Sequence, residues 1–327
     1  MPTSSNDHGI LRPVHGAEDS SHRLAAHGVA MTAIEITEKA EPRRLRASLS
    51  LNWLGVAPFI LFAILFLILP TLHIVIGAVQ TPDGSLTLVN IQGLATPNIL
   101  NATWISMKIS LFSALLGCIG GLLLAVAVTR GGLPAGLRGA LLTFSGVASN
   151  FAGVPLAFAF IATLGRLGLL TVVLKDWFGF NIYATGFNLI SFTGLTLAYL
   201  YFQIPLMVLI ITPALDGLRR EWREAAESLG ASTAQYWRMV ALPILWPSLL
   251  GTFALLFANA FGAVATAMAL TGSSLSIMPI ILFAQIRGDV LQDPHLGYAI
   301  AFGMIVITGV ANLVYIVLRA RAERWQK

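Results

Sequence analysis

The sequence predicts an all-α, polytopic membrane protein with six transmembrane helices, and three observations predict it. Hydrophobic residues make up 56% of the 327-residue chain and charged residues only 11%, whereas a soluble domain averages about 45–50% and about 25%. Mean hydropathy is +0.79. From Asn52 onward, apolar runs of membrane-spanning length recur between short polar stretches. This composition excludes an ordinary soluble enzyme and a disordered chain, and the single cysteine, Cys118, excludes a disulfide scaffold.

Residues 1–50 mix Pro, Ser, His, Glu and Arg with no long apolar run. They read as a flexible cytoplasmic N-terminal extension, without the apolar core of a secretory signal, and Met31 offers a second start. The membrane domain covers 51–327. A helix needs about 20 apolar residues to cross the hydrocarbon core, and six cores satisfy this: 53–76, 109–128, 139–164, 189–215, 247–270 and 296–318. None of the six contains Asp, Glu, Lys or Arg, each of which would cost about 2.5–3.5 kcal/mol at a helix centre. Two shorter stretches, 168–174 and 277–286, fit interfacial or re-entrant pieces.

The net charge of +5 has a membrane explanation rather than a nucleic-acid one. Thirteen basic residues gather on one side: Arg43, Arg44 and Arg46 before the first span, Arg130 and Arg138 after the second, Arg219, Arg220, Arg223 and Arg238 after the fourth, and Arg319, Arg321, Arg324 and Lys327 at the end. Only Lys108, Arg166, Lys175 and Arg287 fall on the other. The positive-inside rule then places both termini in the cytoplasm, in a multi-pass plasma (inner) membrane protein surrounded by lipid. Pro58, Pro70, Pro155, Pro205, Pro213 and Pro247 interrupt the spans, each removing a helix hydrogen bond. Gly117 and Gly121, four apart, allow close helix approach.

The loop 216–241 is the most informative. Trp222, Ala225, Ala226 and Leu229 share one helix face by their spacing, Gly230 follows where a helix end favours the left-handed conformation, and Ser232-Thr233-Ala234-Gln235 has the form of a capping box. Two short amphipathic helices joined at Gly230 follow, suited either to docking a partner or to lying on headgroups.

Glu224-Ala225-Ala226, three residues, Gly230, nine residues and Val240-Ala241-Leu242-Pro243 resemble the EAA-loop signature of permease subunits of binding-protein-dependent ABC importers, Glu-Ala-Ala-x3-Gly-x9-Ile-x-Leu-Pro, with Val240 in place of Ile. The resemblance runs from about Asn52 to the C-terminus. It implies an ABC importer permease-type core, a separate ABC ATPase that receives the loop around Glu224 and Gly230, a second permease subunit, the same or different, and an extracytoplasmic solute-binding protein. The chain has no Gly-x4-Gly-Lys-Ser/Thr loop. ATP hydrolysis is therefore expected on a partner chain, with no cofactor here. The run from Asn150 to Leu156 resembles permeases of the polyamine, ferric-iron and organophosphonate group, which makes those the expected substrates.

Asn150, Gln203, Asn259 and Asn312 are polar residues within spans, where interhelical hydrogen bonding is the common role. Asn150 and Asn259, set among small residues, are the candidates for the substrate pathway. His73 reads as interfacial, Lys108 as a snorkelling anchor, and Cys118 as a small packing residue, with no metal site. An ion-gradient-driven secondary transporter or channel is the rival class. It would bury ionisable groups in its spans for coupling, and these six cores hold none.

Overall fold

The computed structural model describes residues 52–272, 274–287 and 294–324. The extension 1–50, with its arginine cluster, and Lys327 lie outside the described residues. The chain divides into Met1–Ile60 and Leu61–Lys327. Of the first unit only helical residues from Asn52 are described, and the second holds the bundle.

The described elements are helical apart from one isolated antiparallel bridge between Gln80 and Leu86. In order they are α1 (Asn52–Ala63), α2 (Leu69–Ala78), α3 (Val89–Gly93), α4 (Pro97–Arg130), α5 (Ala135–Asn150), α6 (Val154–Leu164), α7 (Leu169–Phe178), α8 (Phe192–Asp216), α9 (Arg220–Ser228), α10 (Thr233–Tyr236), α11 (Leu242–Gly262), α12 (Val264–Thr271), α13 (Met278–Arg287) and α14 (Pro294–Arg324). Six helical stretches are long and apolar enough to cross a membrane: Gly55–Ala78, Pro97–Arg130, Val154–Phe178, Phe192–Asp216, Thr233–Gly262 and Pro294–Arg321. The expected count stands.

Three boundaries do not. The core expected at 109–128 begins earlier, at Pro97. The core expected at 139–164 is not one helix: α5 ends at Asn150, and Gly153 turns at φ 77° before Pro155 opens α6. The core expected at 247–270 begins earlier, at Thr233, and breaks at Ala263, between α11 and α12. Apolar patterning is blind to both breaks, because the residues on either side remain uncharged and small or apolar. The readable signal was local. Gly-Val-Pro at 153–155 combines a residue that tolerates positive φ with one that starts helices.

The two short stretches differ: 277–286 stays a separate short helix, whereas 168–174, expected to be interfacial or re-entrant, is taken into the third span, Val154–Phe178. Helix α13, ten residues long, covers about 15 Å at 1.5 Å per residue, half a hydrocarbon core, and its first turn is held by Met278 N–H donating to Ser106 Oγ at 2.8 Å. Helix α7 has the same length and ends at left-handed Gly179.

Two π-turns have a common cause. Ile64–Ile68 precedes Pro70, and Trp237–Ala241 precedes Pro243. Leu69 N–H donates to Ile64 O, and Leu242 N–H to Trp237 O, each reaching five residues back. Proline lacks the N–H for the regular bond and its ring crowds the carbonyl four residues before it, so each helix widens by one residue just ahead of the ring.

Helix α8 is the centre of the bundle: 56% of its apolar window is buried, against 0% for the first span. Helix α4 lies along α8. A Cβ on Gly117 would stand 2.8 Å from Gln203 Cβ, and one on Gly121 would stand 2.8 Å from the Ile204 carbonyl oxygen. The expected close approach through this pair is therefore present. One apolar cluster gathers Leu156, Tyr199 and Phe202, and a second gathers Met207, Ile211, Leu215 and Leu245.

Gly121→Leu should force α4 from α8 and destabilise the protein by about 1–3 kcal/mol, the usual cost of overpacking. Gly146, with nothing within 4 Å of an added Cβ, should accept alanine without loss. Thermal unfolding of the purified protein in detergent checks this; equal midpoints for Gly121→Leu and wild type would contradict the packing.

Candidate functional site

Two regions carry the candidate residues: the loop from Arg219 to Pro243 at one end of the bundle, and a cavity where the two helix breaks meet.

The loop is fastened before it is displayed. Arg130, at the end of α4, donates from Nη2 to the carbonyls of Leu215 at 2.8 Å and Leu218 at 3.1 Å, pairing acceptors that the end of α8 leaves over. Arg138 Nη2 on α5 reaches both carboxylate oxygens of Asp216, at 2.9 and 2.7 Å. Three helices are thereby tied where the loop departs.

Helix α9 then splits the face expected from its spacing. Trp222 and Ala226 pack against the cluster of Met207 and Leu215, whereas Ala225 is exposed and Leu229 is 88% exposed. Ala225 lies at the edge of that face, and Leu229 is the C-cap residue, past the part of α9 that packs on the bundle. Glu224 is exposed and paired with Arg220 at 2.9 Å, as Glu227 is with Arg223 at 2.8 Å. Exposed i,i+4 pairs of this kind add only about 0.3–0.5 kcal/mol each.

Gly230 has φ 78°, as its place after Leu229 led us to expect. Ala231 N–H donates to Ala226 O and Gly230 N–H to Glu227 O, both at 3.0 Å, the pair of bonds that closes a Schellman motif. The capping box is also present: Gln235 N–H donates to Ser232 Oγ at 3.3 Å, and Ser232 N–H to Gln235 Oε1 at 2.7 Å. The second short helix does not stand alone. Helix α10 has four residues and runs through the π-turn into α11, because nothing after the cap breaks the helix until Pro243, and a π-turn absorbs that proline.

The motif positions therefore divide by environment. Glu224, Ala225 and Pro243 are exposed; Ala226, Val240 and Leu242 pack on the bundle; Gly230 sets the turn. Met239, 72% exposed, joins Leu229 on the outer surface. Spacing named Leu229 as part of the apolar face of α9 but did not single out Met239.

The cavity, about 390 Å³, is lined by Ser149 and Gly153 from the first break and by Asn259, Ala263 and Thr266 from the second, with Phe202 beside them. Gly153 N–H donates to Thr266 Oγ1 at 2.7 Å, joining the breaks across 113 residues of sequence. Tyr199 Oη donates to Ala263 O at 2.6 Å, pairing a carbonyl released where α11 stops. Asn259 lines the cavity, and its carboxamide has no hydrogen-bond partner among the described residues. Asn150 sits next to the lining residue Ser149, and its Nδ2 donates to Gly146 O at 2.9 Å. The structure thus brings one asparagine to the cavity and the other to its edge. Thr266 and Gly153 were not singled out from the sequence.

The remaining polar residues have local roles. Gln203 is fully buried and donates to Ser113 Oγ at 3.0 Å, joining α8 to α4. Asn312 bonds within its own helix, to Thr308 O. Lys108 lies over the Trp104 ring at 4.8 Å, and His73 meets the Tyr298 ring edge-on.

No protein-family model matches the chain. It is 28% identical to the probable sulfate transport system permease protein of Chlorella vulgaris over 225 residues, 67% of this chain and 79% of that one. Against the sulfate transport system permease protein of Escherichia coli K12 identity is 28% over 244 residues, 74% and 75% of the two chains. Against the molybdenum transport system permease protein of Mycobacterium tuberculosis it is 26% over 226 residues, 67% and 80%. A chain in the crystal structure of a bacterial ABC transporter that imports the acidic polysaccharide alginate shares the fold, with a TM-score of 0.63 and 17% identity over 85% of this chain and 96% of that one. The resemblance to ABC importer permeases expected from the loop is borne out. The relatives' names carry sulfate and molybdenum, not polyamine, ferric iron or organophosphonate, so that finer expectation is set aside.

Ser232→Ala should cost about 1 kcal/mol, the usual worth of an N-cap, and Gly230→Ala about 1–2 kcal/mol for holding a Cβ in left-handed backbone. Both should quicken amide exchange over residues 226–238 and leave α8 unchanged, measured by hydrogen–deuterium exchange mass spectrometry. Unaltered exchange in both variants would refute the local account.

Proposed function

We propose that this chain is the translocation subunit of an ATP-driven importer in the plasma (inner) membrane. It works beside a second permease, takes substrate from an extracytoplasmic binding protein and couples to a separate ATPase. The observation that carries the reading is the loop: α4, α5 and α8 are tied together where it departs, yet its helix α9 leaves Glu224, Ala225 and Leu229 uncovered. An exposed leucine ringed by charges is the composition of an interface core and its rim. Names of the relatives favour a small inorganic oxyanion, of the sulfate or molybdate kind, as substrate.

The geometry supports a division of labour. A push on α9 is delivered through Trp222 and Ala226 into the cluster that includes Leu215 on α8 and Leu245 on α11. Both α8 and α11 reach the cavity, through Phe202 and Asn259. Closing of the ATPase would thus be felt at the helix breaks, and alternating access follows if the breaks change their angle. The basic residues give the orientation: loops bearing Arg130, Arg138 and Arg219–Arg223 lie in the cytoplasm with both termini. No cofactor is assigned to this chain, and ATP is hydrolysed by the partner.

Leu229→Asp, Glu224→Lys and Gly230→Asp should each insert normally yet weaken ATPase association by about tenfold or more, equivalent to about 1.4 kcal/mol, with loss of uptake. Co-purification of the ATPase with each variant is the measurement. Full association of all three would mean that the loop lies on headgroups instead.

Orientation is checked separately by cysteine labelling in intact cells. Gly131→Cys and Ser232→Cys should be shielded from a membrane-impermeant reagent and Ser85→Cys accessible to it. The reverse pattern would invert the topology and end the reading.

A further inference from the structure

The cavity between the two helix breaks has an unusual chemical inventory for a chamber among membrane spans. Its lining holds no Asp, Glu, Lys, Arg or His. It does hold hydrogen-bond donors that the protein does not use. The Asn259 carboxamide, with two N–H donors, is exposed and has no partner among the described residues. In hydrocarbon an unpaired amide is strongly disfavoured, so this position takes its polar partner from outside the chain. Thr266 is only 1% exposed. Its oxygen accepts the Gly153 N–H, and its own proton has no acceptor among the described residues. Helix α12 begins on the same wall, at Val264, and the first turn of a helix carries N–H groups that its own ladder does not use.

We propose that this cavity is a transit site for a small tetrahedral oxyanion, held by the neutral donors of Asn259 and Thr266 rather than by a cation. The inference rests on the permease reading above and names the substrate class and the residues that meet it. The absence of charge is a functional property. A passage must bind its cargo well enough to admit it and weakly enough to release it, and a buried lysine or arginine paired with a dianion would hold it fast. The absence of carboxylates removes like-charge repulsion. The Gly153–Thr266 hydrogen bond spans both breaks, so a movement that separates α6 from α12 withdraws one wall of the site. Anion release and helix movement are thereby linked in one place.

The test uses the complete transporter, expressed with its ATPase, second permease and binding protein, in cells lacking other uptake systems for these anions. The probes are radiolabelled sulfate and molybdate. Wild type should take up at least one of them. Asn259→Asp, which puts a negative charge in the cavity at nearly constant volume, should lower the maximal rate by about tenfold or more. Asn259→Ser, which keeps a donor, should stay close to wild type. Thr266→Val should also slow uptake and Thr266→Ser restore it. ATPase association and ATP hydrolysis should persist in all four variants, since none touches the loop.

Equal rates for Asn259→Asp and Asn259→Ser would overturn the site, because an anion passing there must feel the charge. A wild-type complex that assembles and hydrolyses ATP but carries neither anion would overturn the oxyanion assignment while leaving the permease reading in place. Failure of the ATPase to associate with wild type would overturn both.

Discussion

A helix that stops against an apolar bundle leaves carbonyl and N–H groups that need new partners, and the arrangement of this bundle answers that constraint. Two helices stop, near Asn150 and near Gly262. Tyr199 on the central helix donates to the carbonyl of Ala263, and Thr266 receives the N–H of Gly153. Each break is thus repaired partly by a side chain from elsewhere, and the second break repairs the first. Placing Tyr199 and Phe202 at this depth requires α8 to run through the middle, and α8 can do so only because glycines on α4 let the two backbones close. Non-helical backbone in a membrane protein is tolerated where protein or a water-filled cavity surrounds it, and here protein partners meet both breaks beside a cavity of about 390 Å³.

How much of this was legible depended on the kind of signal. Membrane spans announce themselves by the exclusion of charge over about 20 residues, and the number and order of the spans followed from that alone. The Gly117/Gly121 contact was legible because close approach needs the absence of a side chain, which is a property of the residue itself. The helix breaks were not legible from hydropathy, since a broken apolar helix is as apolar as an intact one. They depend on tertiary partners such as Tyr199 and Thr266, distant in sequence.

The loop shows the same division on a smaller scale. Gly230 and the Ser232 capping box are local devices, satisfied within a few residues, and both were readable. Which face of α9 is covered is not local. It depends on where α8 and α11 end, and so Trp222 and Ala226 turn inward while Ala225 and Leu229, on the same stripe by spacing, stay out. For Asn150 and Asn259 the sequence supplied the residue type but not the distinction between them. Asn150 satisfies itself on the preceding turn of its own helix. Asn259 has no such bond.

The π-turn ahead of Pro243 has a geometric consequence for transmission. One residue added to a helix of 3.6 residues per turn advances the azimuth of everything beyond it by about 100°. Side chains before Trp237 and after Ala241 therefore do not share one helical phase, and a wheel drawn through the whole of Thr233–Gly262 misplaces one end. The angular offset between the outward-facing loop and the cavity-facing Asn259 is stored in that single extra residue.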